Sequence, residues 1–116
     1  STLHPAVSVA LKAFLAGSTR IGPIKREIGL SSRHFERVFR DQVGLTPKRF
    51  SRVRRFQALL SSIDGAQSVD WAALALRYGF SDQAHLVNDF REFAGVTPSA
   101  YMSKQTDHRN HMPCDW

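Results

Sequence analysis

YGFSDQAHLVNDFREFAGVTPSAY, residues 78–101, reads as the end of one short helix, a tight turn, a second helix and a hard stop. Phe80 precedes a polar pair, Ser81 and Asp82, and either side chain can accept hydrogen bonds from the free amides of a helix start. Leu86, Phe90, Phe93 and Ala94 recur at helical spacing and can share a core-facing side. Gln83, Ala84, His85 and Asn88 then look outward from the first two turns. Gly95 supplies the left-handed conformation that ends a helix, and Thr97-Pro98 gives the next helix a cap and a first-turn proline. The pattern predicts a helix over residues 82–94 that offers its exposed N-terminal half to a partner.

The same order occurs upstream. GLSSRHFERVFRDQVGLTPKRF, residues 29–50, and GFSDQAHLVNDFREFAGVTPSAY, residues 79–101, both run Gly, apolar, Ser, outward polar helix, Phe, Gly, apolar, Thr-Pro, aromatic. Phe39 matches Phe90 and Gly44 matches Gly95, with one extra residue in the second copy between the serine and the shared phenylalanine. Two short helices joined by a glycine-containing turn, the second with an exposed polar face, are the signature of a helix-turn-helix. Here it occurs twice.

In the first copy, Phe35, Val38, Phe39 and Val43 fall on one side of a helix over residues 32–42, opposite Ser32, Arg33, Glu36, Arg37 and Arg40. Such an arginine-rich side suits phosphates and guanine edges, and equally a solvated surface with Glu36 and Arg40 paired four residues apart. A longer helix follows over residues 47–62, with Phe50, Val53, Phe56, Leu60 and Ile63 inward and Lys48, Arg49, Arg52 and Arg55 around its other sides. At about 1.5 Å per residue it makes a rod of roughly 24 Å that would space two units. Upstream, residues 5–16 form a scaffold helix with Val7, Leu11, Phe14 and Leu15 on its apolar side, stopped by Gly17. Ser18 or Thr19 caps a second helix that ends at Ile28. Ser68 caps a helix over residues 69–77, where Trp71 is read as a packing aromatic. After Tyr101 the apolar pattern fades, and residues 105–116 are expected to be a flexible polar tail.

The chain has 116 residues, a formal net charge of +6 and 42% hydrophobic residues, which fits one small domain or two units on a linker. No apolar run approaches the roughly 20 residues needed to cross a bilayer, so the expectation is a soluble, cytoplasmic protein. The one cysteine, Cys114, agrees with a reducing compartment. Charge is distributed unevenly: residues 1–60 hold twelve Lys/Arg against three Asp/Glu, residues 61–116 four against seven. The basic half is the electrostatic anchor for an anionic partner.

With its GF-SDQAHL-DF-R-AG-TPSAY pattern, the chain resembles the DNA-binding domain of AraC/XylS-family transcription regulators over residues 18–104. The resemblance implies an all-α fold of about seven helices: two helix-turn-helix subdomains, about residues 18–45 and 68–104, joined by the linker helix over 47–62. It implies that the third and sixth helices enter successive major grooves of double-stranded DNA. Carried over by position, the base-facing residues are Ser32, Arg33, Glu36 and Arg37 in the first unit and Gln83, Ala84, His85 and Asn88 in the second. Arg33 and Arg37 suit guanine, Gln83 or Asn88 adenine, Glu36 the cytosine amino group, and Ala84 the thymine methyl. Lys48, Arg49 and Arg52, with the amides at the two helix N-termini, are the expected phosphate contacts. Two positions depart from the family: Lys25 stands where a small residue, often Ala, precedes the turn glycine by four, and Asn88 where many members carry Arg.

His108, His111 and Cys114 form an H-x2-H-x2-C run without an evident fourth ligand, and are read as tail rather than as a metal site. Pro113-Cys114 resembles the pair in DNA alkyl-acceptor proteins, but Asp115 and Trp116 follow in place of His and Arg, and an acidic neighbour does not activate a thiol. His85 suits a groove-facing or a helix-capping role. The expectation is a non-enzymatic, cofactor-free, monomeric reader of an asymmetric DNA site. A helix-turn-helix surface docking RNA polymerase is the alternative, and any dimerising or ligand-sensing domain would lie N-terminal to this chain.

Overall fold

The computed structural model describes residues 2–18 and 21–111. Among them the chain forms seven helices and no strand: α1 (Pro5–Leu15), α2 (Ile21–Ile28), α3 (Ser32–Val43), α4 (Pro47–Ile63), α5 (Trp71–Arg77), α6 (Gln83–Ala94) and α7 (Pro98–His111). This is the all-α architecture that the family resemblance implies. The chain divides into two compact units, residues 1–58 and 59–116, with the boundary inside α4. No helix among the described residues is long and apolar enough to cross a membrane.

In the first unit, α1 packs on α2 and α3. Ala6, Val7, Ala10 and Phe14 from α1 meet Ile24, Phe35 and Phe39 in one buried cluster, with Phe50 packed against it. The Phe14 ring lies 6.1 Å from Phe39 and 5.3 Å from Phe50, and Phe39 is 5.7 Å from both Phe35 and Phe50. Edge-on aromatic packing of this kind adds to the about 1.5–3 kcal/mol that each buried ring contributes by leaving water. The helix read as scaffold thus supplies more than half of the buried cluster, from residues upstream of the resemblance. Leu15, expected inward, is 63% exposed, and the small Ala6 and Ala10 take the inner positions because they let α1 approach its neighbours closely. His4 caps α1 through Nδ1, which accepts from the Ala6 amide at 3.0 Å, while its own amide donates to Gln42 Oε1 at 2.9 Å. α2 is described over Ile21–Ile28 and ends where expected; the expected start after Ser18 or Thr19 falls on residues 19 and 20, outside the described residues.

In the second unit, Leu59, Ile63, Ala75, Phe80, Leu86 and Phe90 are buried. Trp71 stands edge-on to Phe90 with centroids 6.1 Å apart, and Tyr101 does so from α7 at 5.4 Å. α5 starts two residues later than expected, because Asp70 rather than Ser68 is its cap: Asp70 Oδ1 accepts from the Ala73 amide at 3.1 Å, and a carboxylate also complements the positive end of the helix. α7 runs on past Lys104 to His111, held at Gln105 by a 3.1 Å hydrogen bond to Asp64. Backbone hydrogen bonding extends the helix where the apolar pattern has stopped. Cys114 and the rest of residues 112–116 lie outside the described residues.

α4 departs from the inward face that periodicity predicts. Arg55, expected outward, is only 8% exposed and Ser51 is 3% exposed, while Leu59 is fully buried. A helix that serves two units has no single apolar stripe, and the long arginine side chain can bury its stem within a core.

Candidate nucleic-acid interface

Both candidate reading helices are twelve residues long and fixed at each end by the same means. α3 starts at Ser31, whose Oγ accepts from the His34 amide at 3.2 Å, and ends at Gly44 with φ 94°, where the Gly44 amide reaches the Arg40 carbonyl. α6 starts at Asp82, whose Oδ1 accepts from the His85 amide at 2.8 Å, and ends at Gly95 with φ 79°, bonded to the Arg91 carbonyl. A side chain at either glycine would have to adopt a left-handed backbone, which costs about 1–2 kcal/mol. Inner phenylalanines then fix the rotation of each helix: Phe35 and Phe39 in α3, and Phe90 beside Leu86 in α6, are buried.

On α3 this leaves Ser32, Arg33, Glu36, Arg37 and Arg40 exposed. Arg33, Glu36, Arg37 and Arg40 line a pocket of about 310 Å³ with Asp41 and Thr46. Glu36 pairs with Lys25 Nζ at 2.9 Å, across the turn from α2 to α3, rather than with Arg40 along its own helix. That contact explains how a lysine is accommodated where the family has a small residue. The half-buried lysine turns its ammonium to a carboxylate.

On α6, Gln83, Ala84 and Asn88 are exposed, whereas His85 is half-buried. Its ring is edge-on to Phe80 with centroids 5.3 Å apart. Nδ1 accepts from the Ser81 amide at 3.0 Å and lies 3.2 Å from Ser81 Oγ, while Nε2 is 3.6 Å from Oδ2 of the buried Asp89. Of the two roles open to His85 from sequence, this geometry is a cap.

Aligning the two helices cap to cap places the extra residue of the second copy in the turn before Asp82 and matches Arg33 with Ala84, His34 with His85, Arg37 with Asn88 and Arg40 with Arg91. Glu36 then corresponds to Val87. The half-buried Val87 and the exposed Arg91 join the outward set of α6. Counting from the caps rather than from the shared serine identifies both.

Behind α3, Thr46 Oγ1 caps α4 by accepting from the Arg49 amide at 3.1 Å, and Thr97 Oγ1 does the same for α7 with Ala100 at 3.1 Å. Lys48 is exposed and Arg49 and Arg52 are half-buried near the start of α4. Among the described residues no group of three His, Cys, Asp or Glu could hold a metal ion.

A family model described as a helix-turn-helix domain matches residues 24–104. The fold is similar to the crystal structure of a transcriptional regulator from Chromobacterium violaceum, described as an AraC-type DNA-binding domain-containing protein. The TM-score is 0.70 over 87% of this chain and 92% of that one, at 20% identity. At that identity the likeness is one of fold. Comparison with curated proteins gives no match.

Proposed function

The chain belongs to the AraC-type helix-turn-helix family of DNA-binding domains, and from that premise we propose that it reads two successive major-groove segments of one DNA site, α3 in one and α6 in the other. The observation that supports this is the matched build of the two helices: equal length, like caps and one exposed N-terminal side on each. The base-reading residues are Ser32, Arg33, Glu36 and Arg37 on α3 and Gln83, Ala84 and Asn88 on α6, with His85 holding the start of α6. Arginine fits the two acceptors of guanine, and Gln83 or Asn88 the donor–acceptor pair of adenine. Lys48, Arg49 and Arg52 take phosphates.

Phosphate binding at the helix starts is unequal. The amide of His85 is already taken by the carboxylate of Asp82, and a negative charge there repels a phosphate. The His34 amide is likewise taken, by Ser31 Oγ, but that cap of α3 is neutral and adds no repulsion. Residues 1–58, with twelve Lys/Arg against three Asp/Glu, therefore supply most of the salt-dependent affinity.

Two units repeated in tandem along one chain call for an asymmetric site, because palindromes match two-fold dimers. Selecting bound duplexes from a random pool at fixed salt, with the chain at a concentration where it is monomeric, should yield a non-palindromic site with two blocks of preferred bases. A palindromic consensus, or none, would defeat the proposal.

A further inference from the structure

His85 does not sit as a base-reading residue would. Its Nδ1 accepts from a backbone N–H, a group that can only donate, so this nitrogen carries the lone pair and the ring proton of the neutral form lies on Nε2, towards Asp89. At the same time its own amide donates to Asp82. The two bonds form a reciprocal clasp of the capping-box kind, with histidine at the third helical position where glutamate or glutamine usually stands. The reach-back falls one residue earlier, on Ser81, which ties the whole turn 79–82 to the first turn of α6.

We propose that His85 is a positioning residue for α6: in its neutral form it clasps Ser81 and so fixes the aim of Gln83, Ala84 and Asn88, and protonation at Nδ1 releases that clasp. The inference rests on the DNA-reading role of α6 only for its functional consequence. Adding a proton at Nδ1 sets a donor against the Ser81 N–H. The imidazolium that results is favoured instead by the carboxylate of Asp89, 3.6 Å from Nε2. The ring exchanges a tie to the turn for an ion pair within the helix. Asp82, whose carboxylate accepts from the His85 amide, and Asp89 are charged groups beside it. Of the helices packed on α6, α5 is capped by Asp70 and carries Arg77, and α7 carries Tyr101 and Lys104 among the described side chains.

His34 occupies the matching third position of α3, yet its ring lies against His4, with centroids 6.4 Å apart, and the turn before α3 is one residue shorter. The proton-sensitive clasp therefore belongs to the second unit.

The test uses the full chain, His85→Gln and His85→Ala, each checked for unchanged helicity. Glutamine can accept from Ser81 but does not titrate; alanine can do neither. Hydrogen exchange at the Ser81 amide, corrected for intrinsic rate, is followed from about pH 8 to about pH 5. Wild type should lose roughly three- to tenfold protection on acidification, the worth of one hydrogen bond. H85Q should stay protected throughout and H85A should be unprotected throughout. With DNA, wild-type discrimination in the block read by α6 should weaken in parallel with Ser81 protection, and H85Q should not.

Equal pH response in wild type and H85Q would overturn the proposal. So would Ser81 protection indifferent to pH while H85Q changes which base is preferred, since that is direct readout. If Ser81 responds as expected but no DNA sequence is preferred at any pH, the clasp stands and the reading of α6 as a DNA reader falls.

Discussion

α3 and α6 are the same device built with opposite electrostatics. Length, glycine stop and buried phenylalanine coincide, but α3 turns Arg33, Arg37 and Arg40 outward behind a neutral serine cap. α6 turns Gln83, Ala84, Asn88 and Arg91 outward behind an aspartate. The difference shows that the scaffold and the reading surface are set by separate residues. Glycine, phenylalanine and the Thr-Pro start recur because the backbone path and the core need them. The outward positions carry no such constraint, so the two copies differ there in charge.

The largest expected effect tests the shared part. Phe39 and Phe90 are each fully buried at corresponding positions. Phe39→Ala and Phe90→Ala should each cost about 3–5 kcal/mol, the usual range for truncating a buried phenylalanine. Urea unfolding followed by residue-resolved hydrogen exchange measures both. If one substitution costs under about 1 kcal/mol, the two cores are not equivalent and the repeat is one of sequence only.

A smaller effect separates the unlike parts. Lys48→Ala with Arg52→Ala, in the first unit, should flatten the dependence of log K on log salt by up to about 2, at close to 0.9 per phosphate charge lost, whereas Gln83→Ala with Asn88→Ala, in the second, should leave the slope unchanged. The second pair should instead reduce discrimination between preferred and substituted bases, by about 1–3 kcal/mol per position. Binding titrations at several salt concentrations, on matched and mismatched duplexes, decide it. Interchanged results would reverse the division of labour.

The features legible in the sequence were those with a local cause. Gly44, Gly95, Thr46-Pro47 and Thr97-Pro98 mark helix ends through backbone conformation and capping, and all four stand where expected. Features that depend on what packs nearby were not legible. Arg55 is buried because of the surroundings of α4, which periodicity along one helix does not contain. The cap of α5 was not legible: Ser68 has the chemistry expected of a cap, but the path of the chain selects Asp70. The outward residues of α3 all proved exposed, while His85 on α6 turned back to Ser81, a bond that depends on the longer turn.

The smallest effect concerns a pair whose counterpart has the opposite character. Lys25 and Glu36 meet at 2.9 Å with side chains 29% and 51% exposed; the corresponding places in the second unit hold Ala75, which is buried, and Val87, which is half-buried. An ion pair this exposed is screened by solvent and is worth about 0.2–1 kcal/mol. A double-mutant cycle of Lys25→Ala and Glu36→Ala in urea should give a coupling in that range, falling as salt is added. Replacing the pair by its counterpart, Lys25→Ala with Glu36→Val, should change stability by less than about 1 kcal/mol, because alanine fits the crossing and the carboxylate that needed neutralising is gone. Lys25→Ala alone takes from Glu36 the ammonium it meets across the turn. If the single substitution is tolerated as well as the double, then Lys25 stands in its place for reasons other than Glu36, and the two helix crossings differ less than their residues suggest.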